Sequence, residues 1–135
     1  MAKNLKKKIE LSNLLEQIET NFDSKEIISK LDKLHSRSKA HVIGITGAPG
    51  VGKSSMIDKL VKHIRKKNKS VGIIAIDPSS ERSGGALLGD RTRLMLDPSD
   101  NDVFVRSMAS KSFLGGTSEL TYPSMVVMRA MFDFL

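Results

Sequence analysis

Apolar residues recur along this chain with two different periods. Near the N-terminus Leu11, Leu14, Leu15 and Ile18 fall on one helical face, and Ile27, Ile28, Leu31 and Leu34 repeat the pattern. The spacing predicts two short helices within residues 1–40, parted at Asp23-Ser24, with the second capped just before Lys25-Glu26. Residues 36–39 are polar and read as a linker. The period then changes. Val42-Ile43-Gly44-Ile45-Thr46 is apolar, β-branched and of strand length, so residues 42–46 are expected to form a first strand. Met56, Ile57, Leu60, Val61 and Ile64 return to helical spacing and predict a helix over about 53–67. Val71-Gly72-Ile73-Ile74-Ala75-Ile76 is apolar almost throughout, as a parallel strand covered on both faces should be. A glycine-containing connection follows from Asp77 to about Asp102, then a short strand Val103-Phe104-Val105. After a loop holding Gly115-Gly116, residues 124–131 read as a helix and 132–135 as the start of another strand.

Strands alternating with helices imply an α/β fold built on a doubly wound, mostly parallel sheet, preceded by the short N-terminal helices. Residues 1–40 form the helical extension in this reading, and 41–135 belong to the sheet domain. Ligands on such sheets bind outside the carboxyl ends of the strands, which sets the residues after Thr46, Ile76 and Val105 on one rim.

Bulk composition narrows the setting. A hydrophobic content of 39% and a charged content of 27% describe a soluble globular protein rather than a disordered tail. No apolar run is long enough to span a membrane, and no signal core follows Lys3, Lys6, Lys7 and Lys8. A mitochondrial presequence would favour Arg and Ser over these lysines, so a cytoplasmic location is expected. The chain has no cysteine, which excludes disulfides and thiolate metal sites. The net charge of +7 invites a nucleic-acid reading, but its distribution argues against one. Lys59, Lys62, Arg65, Lys66, Lys67 and Lys69 cluster along one helix and just past its end, where cations complement the dipole and form a solvated face. One Tyr and no Trp leave little for base stacking.

The chemistry lies between the first strand and the helix that follows it. Gly47-Ala48-Pro49-Gly50-Val51-Gly52-Lys53-Ser54 fits G-x-x-x-x-G-K-[ST] in the strand–loop–helix context that a phosphate-binding loop needs. Glycines let backbone N–H groups turn inward around an anion, and the helix N-terminus adds unpaired amides. Lys53 is placed to reach β- and γ-phosphates, and the Ser54 hydroxyl to bind Mg²⁺. A second cluster follows strand two. Asp77 opens Asp77-Pro78-Ser79-Ser80, and Asp90 lies in Leu88-Gly89-Asp90-Arg91. An acid at a strand's carboxyl end beside a triphosphate can hold Mg²⁺ or its waters, or orient the attacking water. For Asp77 the plain alternative is an Asx turn before Pro78; for Asp90, a surface carboxylate paired with Arg91 or Arg93. Gly84-Gly85 and Gly89 suit a loop that responds to a γ-phosphate, or simply a surface loop.

Taken in order, the segments from His41 to Ser54, Ala75 to Ser80, Ser83-Gly84-Gly85-Ala86-Leu87-Leu88-Gly89-Asp90-Arg91, Val103 to Ala109 and Leu114-Gly115-Gly116 resemble the methylmalonyl-CoA mutase-associated GTPases. These form the MeaB/ArgK family, also labelled LAO/AO transport system ATPases or kinases. The phosphate loop alone is generic, whereas the Asp-Pro-Ser-Ser and Gly-Gly-Ala-Leu-Leu-Gly-Asp-Arg blocks are specific. The resemblance implies a GTPase that docks on an adenosylcobalamin-dependent acyl-CoA mutase as its chaperone, gates cofactor loading and guards against inactivation. It implies GTP or GDP and Mg²⁺ as cofactors, with Gly50, Gly52, Lys53, Ser54 and Ser55 among the contacts of the loop from Gly47 through Ala48, Pro49 and Val51. It also implies that Asp77 and Asp90 handle magnesium, switching and hydrolysis. Leu96-Asp97-Pro98-Ser99-Asp100 replaces a region that often carries a histidine, and Glu119-Leu120-Thr121-Tyr122-Pro123 departs from the usual sequence after the glycine pair.

In that family Asp133-Phe134-Leu135 would lead into a strand beside the phosphate-loop strand, ending in a Glu-x-x-Gly switch. A later Asn-Lys-x-Asp motif would read guanine, and a C-terminal part would support a homodimer. No strand ending in such a switch follows Asp133-Phe134-Leu135 and no Asn-Lys-x-Asp occurs in these 135 residues, so an N-terminal portion, a shortened reading frame or half of a split protein is expected. On that expectation the chain by itself is marginally stable or self-associating and hydrolyses little GTP. Two rival readings accompany this one: an ATP-dependent kinase or ATPase tied to amino-acid transport, and a non-catalytic nucleotide-binding fragment. Phosphate loops with a lysine directly after the first glycine are disfavoured, because Ala48 stands there.

Overall fold

The computed structural model describes residues 2–77, 94, 96, 97, 99–109 and 119–135. In chain order these contain helices α1 (Ala2–Asn21), α2 (Lys25–His35) and α3 (Lys53–Lys66), strands β1 (Val71–Asp77) and β2 (Val103–Ala109), and helix α4 (Thr121–Met131). The result is a mixed α/β arrangement around a parallel pair of strands.

The break between α1 and α2 falls where the sequence puts it. Ser24 is extended, and its hydroxyl accepts the Ile27 N–H at 3.3 Å, satisfying one of the free amides that begin any helix. α1, however, is a single helix of 20 residues rather than a short one. No proline or glycine interrupts Lys6-Lys7-Lys8, and lysine propagates a helix well. These lysines are not idle. Lys7 Nζ donates to the Met131 carbonyl and stands 5.1 Å from the Phe132 ring centre, while Lys8 Nζ donates to the Asp100 carbonyl at 2.9 Å.

β1 and β2 pair from Val71↔Val103 to Asp77↔Ala109. β2 outruns the predicted residues 103–105 because Arg106 and Ser107 sit opposite Ile74 and Ala75, and the Arg106 guanidinium reaches Glu19 on α1. Phe134 forms parallel bridges to both His41 and Val71, so residues 133–135 lie between the approach to the phosphate loop, the expected neighbour, and β1. The first predicted strand is corrected. Only His41 is bridged, and residues 42–46 form no ladder among the described residues. A strand is defined by its partner, and here pairing extends only as far as Leu135 N–H to His41 O (2.8 Å) and Ile43 N–H to Leu135 O (2.7 Å).

Side chains leave the sheet alternately to its two faces. On one face Val71 and Val103 pack with Val61 and Ile64 of α3, with Ile73 and Phe134 beside them. On the other, Leu11, Leu15 and Ile18 of α1 and Ile27 of α2 form one core with Val127 and Met128 of α4 and with Phe132, against which Ile74, Phe104 and Leu135 pack. Helix α4 approaches β1 closely at Gly72, where a Cβ would lie 2.7 Å from Met128 Cε and 2.9 Å from the Phe132 ring. α4 begins at Thr121, before the predicted 124, because Pro123 falls in the first turn, where no N–H is required. Ile28, placed by its spacing on the apolar face of α2, is 47% exposed.

Candidate phosphate-binding site

Residues 47–52 connect the paired segment at His41–Ile43 to the start of α3. Gly50 (φ 78°) and Gly52 (φ 93°) occupy the left-handed region, which a side chain would strain. Gly52 is also the N-cap, and no side chain caps the helix, so the first-turn amides are left to whatever lies before them. The first turn carries no acid to neutralise the positive end of the dipole. Lys53 folds back over the loop, its Nζ donating to the Gly47 carbonyl at 2.6 Å and the Ala48 carbonyl at 2.7 Å. An ammonium held by two neutral carbonyls can exchange them for anionic oxygens, which bind it more strongly. Ala48, Pro49, Val51 and Ser55 are exposed, and Ser54 is half-buried.

The far end of α3 is anchored by charge. Arg65 Nε donates to Asp100 Oδ2 at 2.8 Å, Nη2 to Asp102 Oδ2 at 3.2 Å and Nη1 to the Lys69 carbonyl at 2.8 Å. The Arg65 hydrogen bond holds the Asp100 carboxyl below the usual carboxylate range, and Asp100 in turn raises the arginine. The expected solvated face therefore holds for Lys59, Lys62, Lys66 and Lys67 but not for Arg65, which sits in this ion pair. Lys69 lies 3.7 Å from Asp133. The Ser70 N–H and hydroxyl, at 2.8 and 2.9 Å, bind the other Asp133 oxygen and lower its pKa.

Asp77 ends β1, paired in the ladder with Ala109. His41 and Val71 stand level across Phe134, and Gly47 and Asp77 are each six positions further along (41 to 47, 71 to 77), so the register runs both toward one rim. The side chain of Asp77, together with Gly84, Gly85, Gly89, Asp90, Arg91, Arg93 and Gly115-Gly116, lies outside the described residues. Among the described residues no three His, Asp or Glu side chains gather as a metal cluster. The Ser54 hydroxyl suits Mg²⁺, which keeps several waters and takes few protein ligands beside a bound phosphate. The fold brings forward one acid that the sequence pattern does not single out. Asp58, a helical turn beyond Ser54, has a buried Oδ1 without a hydrogen-bond partner among the described residues. Its only signal was the i, i+4 spacing from Ser54.

A family model described as "Methylmalonyl Co-A mutase-associated GTPase MeaB" matches residues 10–135. The chain belongs to the MeaB family. A protein of Pyrococcus horikoshii whose name proposes a GTPase is 47% identical over 107 residues, covering 79% of this chain and 33% of that protein. The "Fused isobutyryl-CoA mutase" of Cupriavidus metallidurans is 38% identical over 104 residues, 75% of this chain and 9% of the larger protein. The mouse "Methylmalonic aciduria type A homolog, mitochondrial" is 35% identical over 85 residues, 63% of this chain and 20% of its own. The chain thus spans about a third of the length of the Pyrococcus horikoshii relative and of a similar one from Pyrococcus abyssi (33% and 32%).

Proposed function

We propose that this chain binds GTP with Mg²⁺ through residues 47–55 and serves as the nucleotide-binding part of a chaperone for an adenosylcobalamin-dependent acyl-CoA mutase. The observation that carries the reading is the loop itself: left-handed Gly50 and Gly52, an uncapped helix start, and Lys53 Nζ poised over Gly47 and Ala48. The loop and first-turn amides donate to phosphate oxygens, and Lys53 leaves its two carbonyls for the β- and γ-phosphates. The Ser54 hydroxyl supplies a magnesium ligand, and Ser55 a further contact. Asp77 and Asp90 complete the magnesium and hydrolytic groups. Bound Mg²⁺ neutralises charge on the transferred phosphate; the chain's own residues orient it. Residues 41–135 are the N-terminal part of a doubly wound P-loop GTPase domain, with 1–40 as its helical extension. The mutase partnership is supported by the family description and by the fused mutase, in which a related region belongs to the same polypeptide as its mutase name. A cytoplasmic location and a homodimer of the longer form complete the proposal, and no described helix is long and apolar enough to cross a membrane.

Competition between GTP and ATP for the chain in the presence of Mg²⁺ tests this. GTP should bind at least as tightly as ATP, the residues that would read guanine not being in this sequence, and Lys53→Ala should weaken it by roughly 10- to 100-fold, the equivalent of about 1.5–3 kcal/mol for a charge-assisted hydrogen bond. Preferential ATP binding would replace this reading with the kinase or ATPase one.

A further inference from the structure

Helix α3 lays one continuous stripe on the sheet, and the stripe changes character along its length. Ser54, Asp58, Val61 and Arg65 follow the i, i+3, i+4 spacing that keeps side chains on one side of a helix. Arg65 meets Asp100 and Asp102 just ahead of β2, and Val61 is 4% exposed against Val71 and Val103. The next place along the stripe, where an apolar side chain would extend that cluster, belongs to Asp58.

What lies beneath Asp58 follows from the ladder. Helix α3 runs back along the strands, with Arg65 beside their starts, so Asp58 and Ser54 lie over residues beyond Val103. Val71, Ile73 and Val103 face α3, whereas Ile74 and Phe104 face the α1–α4 core. By alternation Ala75 and Ser107, partners across the ladder, face α3 as well. Both are small, which leaves room beneath the first turns of the helix. Asp58 Oδ1 and Ser107 Oγ are each buried without a hydrogen-bond partner among the described residues. A helical side chain leans toward the N-terminus of its helix, so Asp58 is inclined toward Ser54 and the loop. A buried oxygen without a donor costs a fold free energy that an apolar side chain would not. Two of them on one interface, behind a phosphate loop, are explained by a polar neighbour that arrives with the nucleotide.

We infer that Asp58, aided by Ser107, is a positioning residue for the magnesium ion of the phosphate site: its carboxyl oxygen accepts a hydrogen bond from a water on the ion that Ser54 ligates. The inference rests on the reading of residues 47–55 as a Mg²⁺–nucleotide site. Mg²⁺ keeps several of its waters, and the groups that hold those waters govern how firmly the ion is bound. The Ser107 hydroxyl, able to donate and accept at once, steadies the same water from the sheet side.

Calorimetric titration of the full chain, with whichever of GTP and ATP the parent binds more tightly, tests this role against a packing one. The readout is the ratio of affinities in Mg²⁺ and in EDTA. Asp58→Ala should lower that ratio about tenfold or more. Asp58→Asn, which keeps an oxygen in place without the charge, should lower it less. Thermal melting without nucleotide is the second readout: since an unpartnered oxygen is removed, Asp58→Ala should unfold no earlier than the parent. A ratio in Asp58→Ala equal to the parent's would overturn the inference. So would earlier melting joined to an equal loss of affinity in Mg²⁺ and EDTA, which would make Asp58 a packing residue. A parent chain that binds neither nucleotide would overturn the phosphate-site reading itself, and this inference with it; binding of ATP in preference to GTP leaves the role of Asp58 standing if the ratio falls.

Discussion

The helical core behind the sheet and the segment that leads to the phosphate loop are finished to different degrees. Behind the sheet Leu11, Leu15, Ile18, Val127 and Met128 are at most 1% exposed and interlock α1, α2 and α4. On the phosphate-loop side, residues of the same chemistry remain open to solvent, with Val42 at 43% and Ile43 at 41% beside a cavity. Hydrophobic character alone therefore does not say where the core is. What differs is the presence of a neighbour for the backbone: α1, α2 and α4 satisfy their own peptide groups, whereas residues 42–46 depend on another strand.

Truncating each region should give unequal results. Leu15→Ala, in the closed core, should cost about 2–5 kcal/mol in urea unfolding. A cost below 1 kcal/mol would show that the helical core is as loose as the other side. Gly72→Val should cost about 1–3 kcal/mol, because the added carbons meet Met128 and Phe132 where α4 presses on β1. Arg65→Ala should cost about 1 kcal/mol by the same measurement, as expected for a partly exposed pair with Asp100. Acid should act more gently. The Ser70 hydrogen bonds lower the folded pKa of Asp133 beneath its unfolded value near 3.9, so their stabilisation is present above about pH 4 and is lost as pH falls through the folded pKa. Between pH 5 and 3 the melting temperature of Asp133→Asn should therefore fall less than that of the parent; equal slopes would remove Asp133 from the account. Ile43→Ala should be smallest, within about 0.5 kcal/mol, since its side chain is substantially exposed already.

Features fixed by neighbours in sequence were legible and those fixed across space were not. Ser24 as a cap and the turn at 47–52 follow from local chemistry, the second from glycine's access to positive φ. The full seven residues of β2 are not legible because Arg106 and Ser107 look like loop residues until Glu19 and β1 are set beside them. Lys7 and Arg65 were similarly opaque: a basic residue on a helix reads as solvated, and only the fold supplies Met131 for one and Asp100 for the other. Of the candidate site, the place of Lys53 and Ser54 at the start of α3 was legible, and the place of Asp77 at a strand end was too. Asp58 was not, because burial of one oxygen is a property of packing.

The arginine at the end of α3 has a mechanical consequence. Fourteen helical residues make a beam about 21 Å long, held at Arg65 by three hydrogen bonds and beginning at the loop with Gly52. Such a beam is a cantilever. Its clamped end is tied to Asp100 and Asp102, just ahead of β2, while its free end carries Lys53 and Ser54. A small tilt at the clamp is magnified at the tip, so the position of Lys53 over the Gly47 and Ala48 carbonyls is set in part by a pair of carboxylates at the other end of the helix.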